Sequence, residues 1–146
     1  MHNLVPAFIT TQFQRGNQTG QFPAVGLFAD LTGFSTMTTA LMALGQYGAE
    51  TLAALMRDLF NPMISCVYEN GGMITTFSGD SFTALFQIEA QSADAYHSAM
   101  YCAAHIQEIV SNREVQQTPV GEFKISVRVG ISAGEASWGI ITSEDH

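Results

Sequence analysis

Positive charge is scarce in this chain. Only five of the 146 residues are lysine or arginine, against 13 aspartate and glutamate residues, which gives a formal net charge of −8. Nucleic-acid backbones and anionic membrane surfaces are bound through clustered basic side chains, so the sequence predicts no nucleic-acid partner. It does not exclude a single nucleotide, because divalent metals and backbone amides also supply a positive field.

Cysteine is scarce too, and long apolar runs are missing. Cys66 and Cys102 each lie in a helical pattern without a Cys-x-x-Cys pair or a histidine at ligand spacing. This favours two buried thiols in a reducing compartment over a disulfide or a metal pair. No apolar stretch approaches the ~20 residues of a membrane span, and the N-terminus lacks the pattern of a signal peptide. We therefore expect a cytoplasmic protein with no membrane segment in this chain.

Charged residues of either sign make up only 12% of the chain, whereas apolar residues make up 47%. A chain of this length forms one domain or part of one, and its apolar content suits a globular core. The low charged fraction is unusual for a free-standing soluble domain. We expect another domain or subunit to cover part of its surface.

Apolar spacing predicts the order of strands and helices. Residues 1–23 are interpreted as an N-terminal arm before a domain at 24–146. The pattern then predicts a strand at 25–31, a helix that Ser35 or Thr36 caps and Gly45 ends, and a helix over about 47–69 that Pro62 kinks or splits. There follow a hairpin at 73–77 and 82–86, a helix over 93–110, a strand at 123–132, a turn at Gly134 and a strand from Trp138. This order predicts an α+β fold, a ferredoxin-like βαββαβ open sheet with helices on one face.

Two aspartates each lie where a strand meets a glycine-containing turn. Asp30 is followed by Gly33 at the end of the first strand, and Asp80 follows Gly79 in the hairpin turn. A strand–helix–strand crossover makes the first two strands parallel, and the strand that begins at Phe82 then lies beside the first. Paired carboxylates beside exposed backbone amides are what a magnesium–triphosphate site requires. We therefore expect Asp30 and Asp80 to form one site.

Three segments resemble motifs of the class III adenylyl and guanylyl cyclase catalytic domain. They are FADLTGFS at 28–35, GGMITTFSGD at 71–80 and RVGISAGE at 128–135. Their order and separations fit the front part of that domain from about residue 24 to the end. With GAE at 48–50 heading the long helix, the chain is similar to the soluble type with tandem cyclase domains.

The resemblance implies a function and a set of site residues. Asp30, Asp80 and the Leu31 backbone would hold two divalent ions, Mg²⁺ or Mn²⁺, and the amides of Gly33, Phe34 and Ser35 would face the β- and γ-phosphates. The ribose 3′-hydroxyl of a nucleoside triphosphate, ATP rather than GTP, would attack the α-phosphorus and release pyrophosphate. The product is a 3′,5′-cyclic monophosphate used in intracellular signalling.

The chain departs from the family pattern at Thr76, where members that read adenine carry a lysine. Thr76 would line the nucleotide pocket without offering an ammonium group. The family's remaining base-reading and transition-state residues lie beyond the region that matches 138–141, so the 146-residue chain alone is expected to be inactive. Because family sites form across a dimer, we expect this metal-carrying half to pair with a second cyclase domain, with homodimerisation as an alternative.

Two other function classes stay open at this point. One is a catalytically inactive cyclase-like domain that dimerises or regulates, which Thr76 favours and the two aspartates oppose. The other is a diguanylate cyclase, whose turn resembles SGDSF at 78–82 but carries an acidic residue where this chain has Ser81. Product analysis separates a nucleotidyl cyclase from a diguanylate cyclase, and magnesium-dependent nucleotide binding without turnover identifies the inactive domain.

Overall fold

A four-stranded antiparallel sheet forms the centre of the fold. The computed structural model describes residues 5–90 and 93–141. In chain order its elements are α1 (Ala7–Gln14), β1 (Thr19–Thr32), α2 (Phe34–Met42), α3 (Gln46–Glu69), β2 (Met73–Ser78), β3 (Ser81–Gln87), α4 (Asp94–Ser111), β4 (Val115–Thr118), β5 (Gly121–Lys124) and β6 (Ser126–Gly139). The sheet has the strand order β2-β3-β1-β6, and β4 and β5 form a separate hairpin.

The strand directions agree with the sequence prediction. Both β1 and β2 pair with β3 in the antiparallel sense, so β1 and β2 run parallel to each other with β3 between them. The outer strand β6 pairs with β1 over its whole length. The order β1, α2–α3, β2, β3, α4, β6 is the predicted βαββαβ arrangement, and the α+β fold class is confirmed.

Helices α2, α3 and α4 pack on one face of the sheet. Alternate β1 residues, from Val25 to Leu31, point into this face because side chains alternate along a strand. They meet apolar residues at helical spacing from α2, α3 and α4, among them Met37, Met63 and Ile106. The opposite face of β1 carries Phe28 and Asp30, so the same strand supplies both the core and the site.

The first helix lies against that opposite face, at the end away from Asp30. The Phe8 ring of α1 lies 4.9 Å from the ring of Phe22 and 5.5 Å from that of Trp138. Trp138 lies over Gly20 so closely that a Cβ there would come within 2.7 Å of the indole nitrogen. Residues 7–14 therefore form a helix with specific contacts, and β1 begins at Thr19, before the predicted domain boundary at residue 24.

The last strand is longer than predicted. We expected a turn at Gly134 and a new strand at Trp138, but β6 continues from Ser126 to Gly139, and Gly134 pairs with Ala24. A glycine inside a strand pattern does not require a turn when a long partner strand continues to supply hydrogen bonds. The hairpin of β4 and β5 was not predicted.

The helix ends also differ from the prediction. Neither Ser35 nor Thr36 caps α2. The N-cap is Gly33, which has no side chain, so the helix start has no side-chain cap. The helix ends at Met42, before the expected stop at Gly45. Pro62 does not split α3, which runs unbroken from Gln46 to Glu69 because buried residues on both sides of the proline keep it packed on the core. None of the helices in the described residues is long and apolar enough to cross a membrane.

Candidate functional site

Asp30 lies near the end of β1, between two neighbouring strands. In register it is opposite Ser81 of β3 on one side and Arg128 of β6 on the other. Directly opposed residues of antiparallel strands point to the same face. The carboxylate of Asp30 is therefore presented on the sheet face that α2, α3 and α4 leave open.

Asp80 lies in the turn that joins β2 and β3, next to Ser81. The amide of Leu31 donates a hydrogen bond of 3.0 Å to the carbonyl oxygen of Asp80. Gly79 adopts a φ of 60°, a conformation that suits glycine and lets the chain reverse just before Asp80. The turn is thus bonded to the end of β1, and the structure brings the backbones of Asp30 and Asp80 together.

The Asp30 carboxylate is paired with a cation. Nη2 of Arg128 donates to Oδ2 of Asp30 at 2.5 Å, and the Arg128 side chain is 78% exposed whereas that of Asp30 is 22% exposed. Arg128 therefore presents a positive charge at the mouth of the site. The ion pair follows from the register between β1 and β6, which places the two residues opposite each other.

The Asp80 carboxylate has a different partner. The hydroxyl of Ser35, in the first turn of α2, donates a hydrogen bond of 3.1 Å to Oδ2 of Asp80. This bond links the start of α2 to the β2–β3 turn. Its effect is to restrict the orientation of Asp80, since a rotating carboxylate loses freedom when one oxygen accepts a fixed donor.

The turn between β1 and α2 brings a helix N-terminus to the same place. Gly33 has a φ of 87°, and a Cβ at this position would lie 2.3 Å from the carbonyl oxygen of Lys124. Phe34 follows as a buried residue whose ring packs edge-on against Phe60. The first amides of a helix have no intrahelical acceptor, and the helix dipole favours anions there. The amides around Ser35 can therefore donate hydrogen bonds to an anionic group beside the two aspartates.

A cleft of about 350 Å³ adjoins this turn, between α2, α3 and the β2–β3 turn. Ser35 and Asp80 line one side, and Phe34, Leu52 and Met56 form much of the remaining wall. The cleft thus has polar groups beside Asp80 and a largely apolar wall elsewhere.

Thr76 lies farther from the aspartates. It is exposed on β2 opposite Thr83, and Thr83 is in turn opposite Phe28 of β1. Thr76 therefore shares the open face with Asp30 but lies two strands away and two register pairs along. The structure does not bring it into contact with the carboxylates.

The donor set suits a hard cation that also binds phosphate. Among the described residues, no group of three or more histidine, cysteine, aspartate or glutamate side chains could hold a metal. The site therefore offers two carboxylates, those of Asp30 and Asp80. Mg²⁺ is characteristically bound by one or two carboxylates together with substrate phosphates, so two carboxylates beside a helix N-terminus fit it.

Sequence reasoning missed two side-chain contacts. Arg128 was recognised only as part of a motif, and Ser35 only as a candidate helix cap and for its amide. Arg128 lies 98 residues after Asp30 and Ser35 lies 45 residues before Asp80. Both contacts depend on strand register and turn placement, for which the local sequence pattern gives no signal.

The comparisons with known proteins agree with this geometry. The family described as Adenylate and Guanylate cyclase catalytic domain matches residues 18–146. The chain belongs to this family. The predicted resemblance to class III cyclases is thereby confirmed.

Individual relatives are distant. An adenylate cyclase of Anabaena cylindrica is 26% identical over 115 residues, which cover 79% of this chain and 22% of that protein. The adenylyl cyclase CyaB of P. aeruginosa has a similar structure, with a TM-score of 0.67, 20% identity and coverage of 87% of this chain and 63% of the other.

A dimeric guanylyl cyclase domain of the RhoGC fusion protein from the fungus Blastocladiella emersonii gives a TM-score of 0.61 at 18% identity, covering 88% of this chain and 66% of the other. The chain thus spans about a fifth of the curated relative and under two thirds of CyaB. At these identities the solved structures establish the fold.

Proposed function

We propose that this chain is the metal-binding half-site of a nucleotidyl cyclase that converts a nucleoside triphosphate to its 3′,5′-cyclic monophosphate and pyrophosphate. The observation that carries the proposal is the meeting of Asp30 and Asp80 beside the N-terminus of α2. Membership of the cyclase family supports it. ATP is the proposed substrate in preference to GTP, which the adenylate cyclase relative supports.

The residues present fit the metal that the family implies. Asp30, Asp80 and the Leu31 backbone would hold two ions, Mg²⁺ or Mn²⁺. When bound there, such ions would acidify the ribose 3′-hydroxyl and neutralise charge on the pyrophosphate leaving group. The chain's own contribution is to hold two oxygen-donating side chains on one rigid sheet edge.

The phosphate-binding role falls to backbone amides and one cation. Gly33 is the N-cap of α2 and Phe34 and Ser35 begin its first turn. Their amides would hold the β- and γ-phosphates. Arg128 contacts Asp30 and leaves most of its side chain exposed. It would also contact the triphosphate, because a guanidinium donates to phosphate oxygens in a paired geometry. Ser35 keeps Asp80 oriented through its hydroxyl.

The nucleotide base is proposed to be read mainly by a partner. Thr76 lies on the open sheet face, where it would line the base pocket with a hydroxyl but no charge. Phe28, on the same face, is 47% exposed, and the chain carries few charges that would keep such a face in water. A second cyclase domain covering this face would bury Phe28 and complete the site. A different cyclase domain is the proposed partner, and a second copy of this one is the alternative.

A cytoplasmic location is proposed for this domain. Cys66 and Cys102 are free thiols in the structure, which fits a reducing compartment. The proposed substrate, a nucleoside triphosphate, is also found in that compartment.

Product analysis tests the proposal. Full-length protein would be incubated with ATP or GTP in the presence of Mg²⁺ or Mn²⁺, and the nucleotide products would be identified by chromatography and mass spectrometry. Formation of a cyclic monophosphate and pyrophosphate in equal amounts supports the proposal. The base of the cyclic monophosphate then identifies the substrate as ATP or GTP. A cyclic dinucleotide would instead identify a diguanylate cyclase.

The alternative is a catalytically inactive cyclase-like domain that dimerises or binds nucleotide. The missing lysine at Thr76 favours it. Tight nucleotide binding that depends on Mg²⁺, without any turnover alone or with other cyclase domains of the same protein, would establish this alternative and refute the proposed activity.

A further inference from the structure

Two cysteines face each other in the core, away from the aspartates. Cys66 of α3 and Cys102 of α4 are 4% and 0% exposed, and their Sγ atoms are 3.3 Å apart. Both are free thiols. Residues of the same core surround them, and among the described residues no third histidine, cysteine, aspartate or glutamate joins them to form a metal site. The pair therefore has a geometry that neither the proposed activity nor a metal site explains.

Polar contacts hold the two thiols in this arrangement. The Cys102 thiol also lies 3.4 Å from the carbonyl oxygen of Cys66, and Nδ2 of Asn70 donates to that same oxygen at 2.8 Å. Burial, together with the hydrogen bond and charge interaction with Cys66, raises the pKa of Cys102 from 9.0 to about 12. A thiol with such a raised pKa carries little thiolate at neutral pH, so it reacts slowly with electrophiles while the core is closed.

We propose that Cys66 and Cys102 form a site of oxidative modification, an internal disulfide between α3 and α4 that a peroxide produces. The two sulfur atoms need only approach from 3.3 Å to the ~2.05 Å of a disulfide bond. Since the partner thiol is already adjacent, the first oxidation product is captured within the same domain.

The chemistry balances with one peroxide for each disulfide. The sulfur of one cysteine attacks a peroxide oxygen and breaks the O–O bond, giving a sulfenic acid and one water. The second sulfur then attacks the sulfenic sulfur, the S–S bond forms, and a second water leaves. Two thiols lose two electrons in total, their two protons leave in the water molecules, and the peroxide is reduced.

The cross-link would enclose the part of the chain that carries Asp80. Between Cys66 and Cys102 lie the end of α3, β2, β3 and the start of α4. Joining the ends of this loop restricts the unfolded chain, which stabilises the folded domain. The modification therefore couples the oxidation state to the stability of the hairpin that positions Asp80.

Peptide mapping tests this site directly. Full-length protein would be treated in its native state with dilute hydrogen peroxide, quenched, denatured, alkylated with iodoacetamide and digested with trypsin. No lysine or arginine lies between Arg57 and Arg113, so both cysteines fall in one tryptic peptide. We expect that peptide to lose two hydrogens and to resist alkylation. Further cleavage after Glu69 and Glu89 should leave the Cys66 and Cys102 fragments linked until a reductant is added.

Control variants separate the disulfide from other oxidation. In Cys66→Ala and Cys102→Ala proteins, the remaining cysteine should take up alkyl label, and peroxide should not raise the thermal midpoint of the domain. In the natural sequence, peroxide should raise that midpoint by about 5–10 °C. Two alkylated cysteines after prolonged treatment, sulfinic or sulfonic acid at either one, or a link to another cysteine would overturn the proposal. None of these outcomes depends on cyclase activity.

Discussion

Arg128 and Asp30 form an ion pair across the β1–β6 ladder, with Nη2 2.5 Å from Oδ2. The strand register places the two residues directly opposite each other. The carboxylate that we assign to metal binding therefore already has a positive partner, and the mostly exposed Arg128 side chain remains available to an incoming phosphate. This single pair connects the fold of the sheet to the proposed chemistry.

Arg128→Ala should lower kcat/KM by about 10–100-fold, because it removes a charged hydrogen-bond donor to phosphate. Arg128→Lys should recover part of the loss, since a lysine keeps the charge but not the paired geometry. Because Arg128 is mostly exposed, neither change should lower stability much. Steady-state kinetics and thermal unfolding measure the two effects. Arg57→Ala, an exposed arginine on α3, is the matched control. Kinetics of Arg128→Ala equal to those of the natural sequence would refute the assignment.

Ser35→Ala should weaken Mn²⁺ binding by about 3–10-fold, because Asp80 loses the 3.1 Å hydrogen bond that orients it. Ser35→Thr keeps the hydroxyl and should bind Mn²⁺ like the natural sequence. Calorimetric titration with Mn²⁺ and a non-reactive nucleotide analogue measures this affinity. Thr36→Ala removes an exposed hydroxyl in the same helical turn and should have no effect. Equal losses of Mn²⁺ affinity in the Ser35 and Thr36 alanine variants would mean that the Ser35–Asp80 hydrogen bond does not contribute to metal binding.

Gly33→Ala should destabilise the domain by at least about 2 kcal/mol. The new Cβ would be strained at a φ of 87° and would collide with the Lys124 carbonyl at 2.3 Å. Gly71→Ala has a similar φ of 78° but open space around it, so it should cost only about 1 kcal/mol. Chemical denaturation compares the two variants. If their losses match, the close approach to Lys124 does not constrain the turn.

Phe8→Ala should reduce stability by about 1–2 kcal/mol, because the Phe8 ring packs against Phe22 and Trp138. It should also speed hydrogen exchange at the beginning of β1. Phe13→Ala removes an exposed ring from the same helix and should change stability by less than about 0.5 kcal/mol. Thermal unfolding and hydrogen-exchange mass spectrometry test the comparison. An unchanged Phe8→Ala protein would show that α1 does not stabilise the sheet.

The sequence contained enough information to predict the meeting of the two aspartates. Asp30 and Asp80 each follow a short apolar strand and lie beside a turn glycine, and these are local patterns. The crossover rule then places β3 beside β1, which the hydrogen bond from Leu31 to Asp80 confirms. Strand order thus followed from short-range signals together with a general rule of topology.

Long-range register was not predictable in the same way. The local sequence around Gly134 predicts a turn. The strand β6 nevertheless continues through Gly134, because β1 is long enough to pair with the whole of β6. The Asp30–Arg128 pair depends on that same register. The contacts of α1 were missed because a short helix without buried residues has a weak apolar pattern, and its partner Trp138 lies at the other end of the chain.

A double-mutant cycle on Asp30 and Asp80 in the full-length protein tests most directly whether the two carboxylates form one metal site. Cyclic-nucleotide formation would be measured for Asp30→Asn, Asp80→Asn and the combined variant, with Asp58→Asn, an exposed acid on α3, as the control. If the two carboxylates hold the metals of one site, each single variant should lose roughly 10²–10³-fold in turnover. The combined variant should lose little more, because groups that act as a unit are not additive. Near-full turnover in either single variant, or losses that multiply in the combined variant, would contradict a shared metal site.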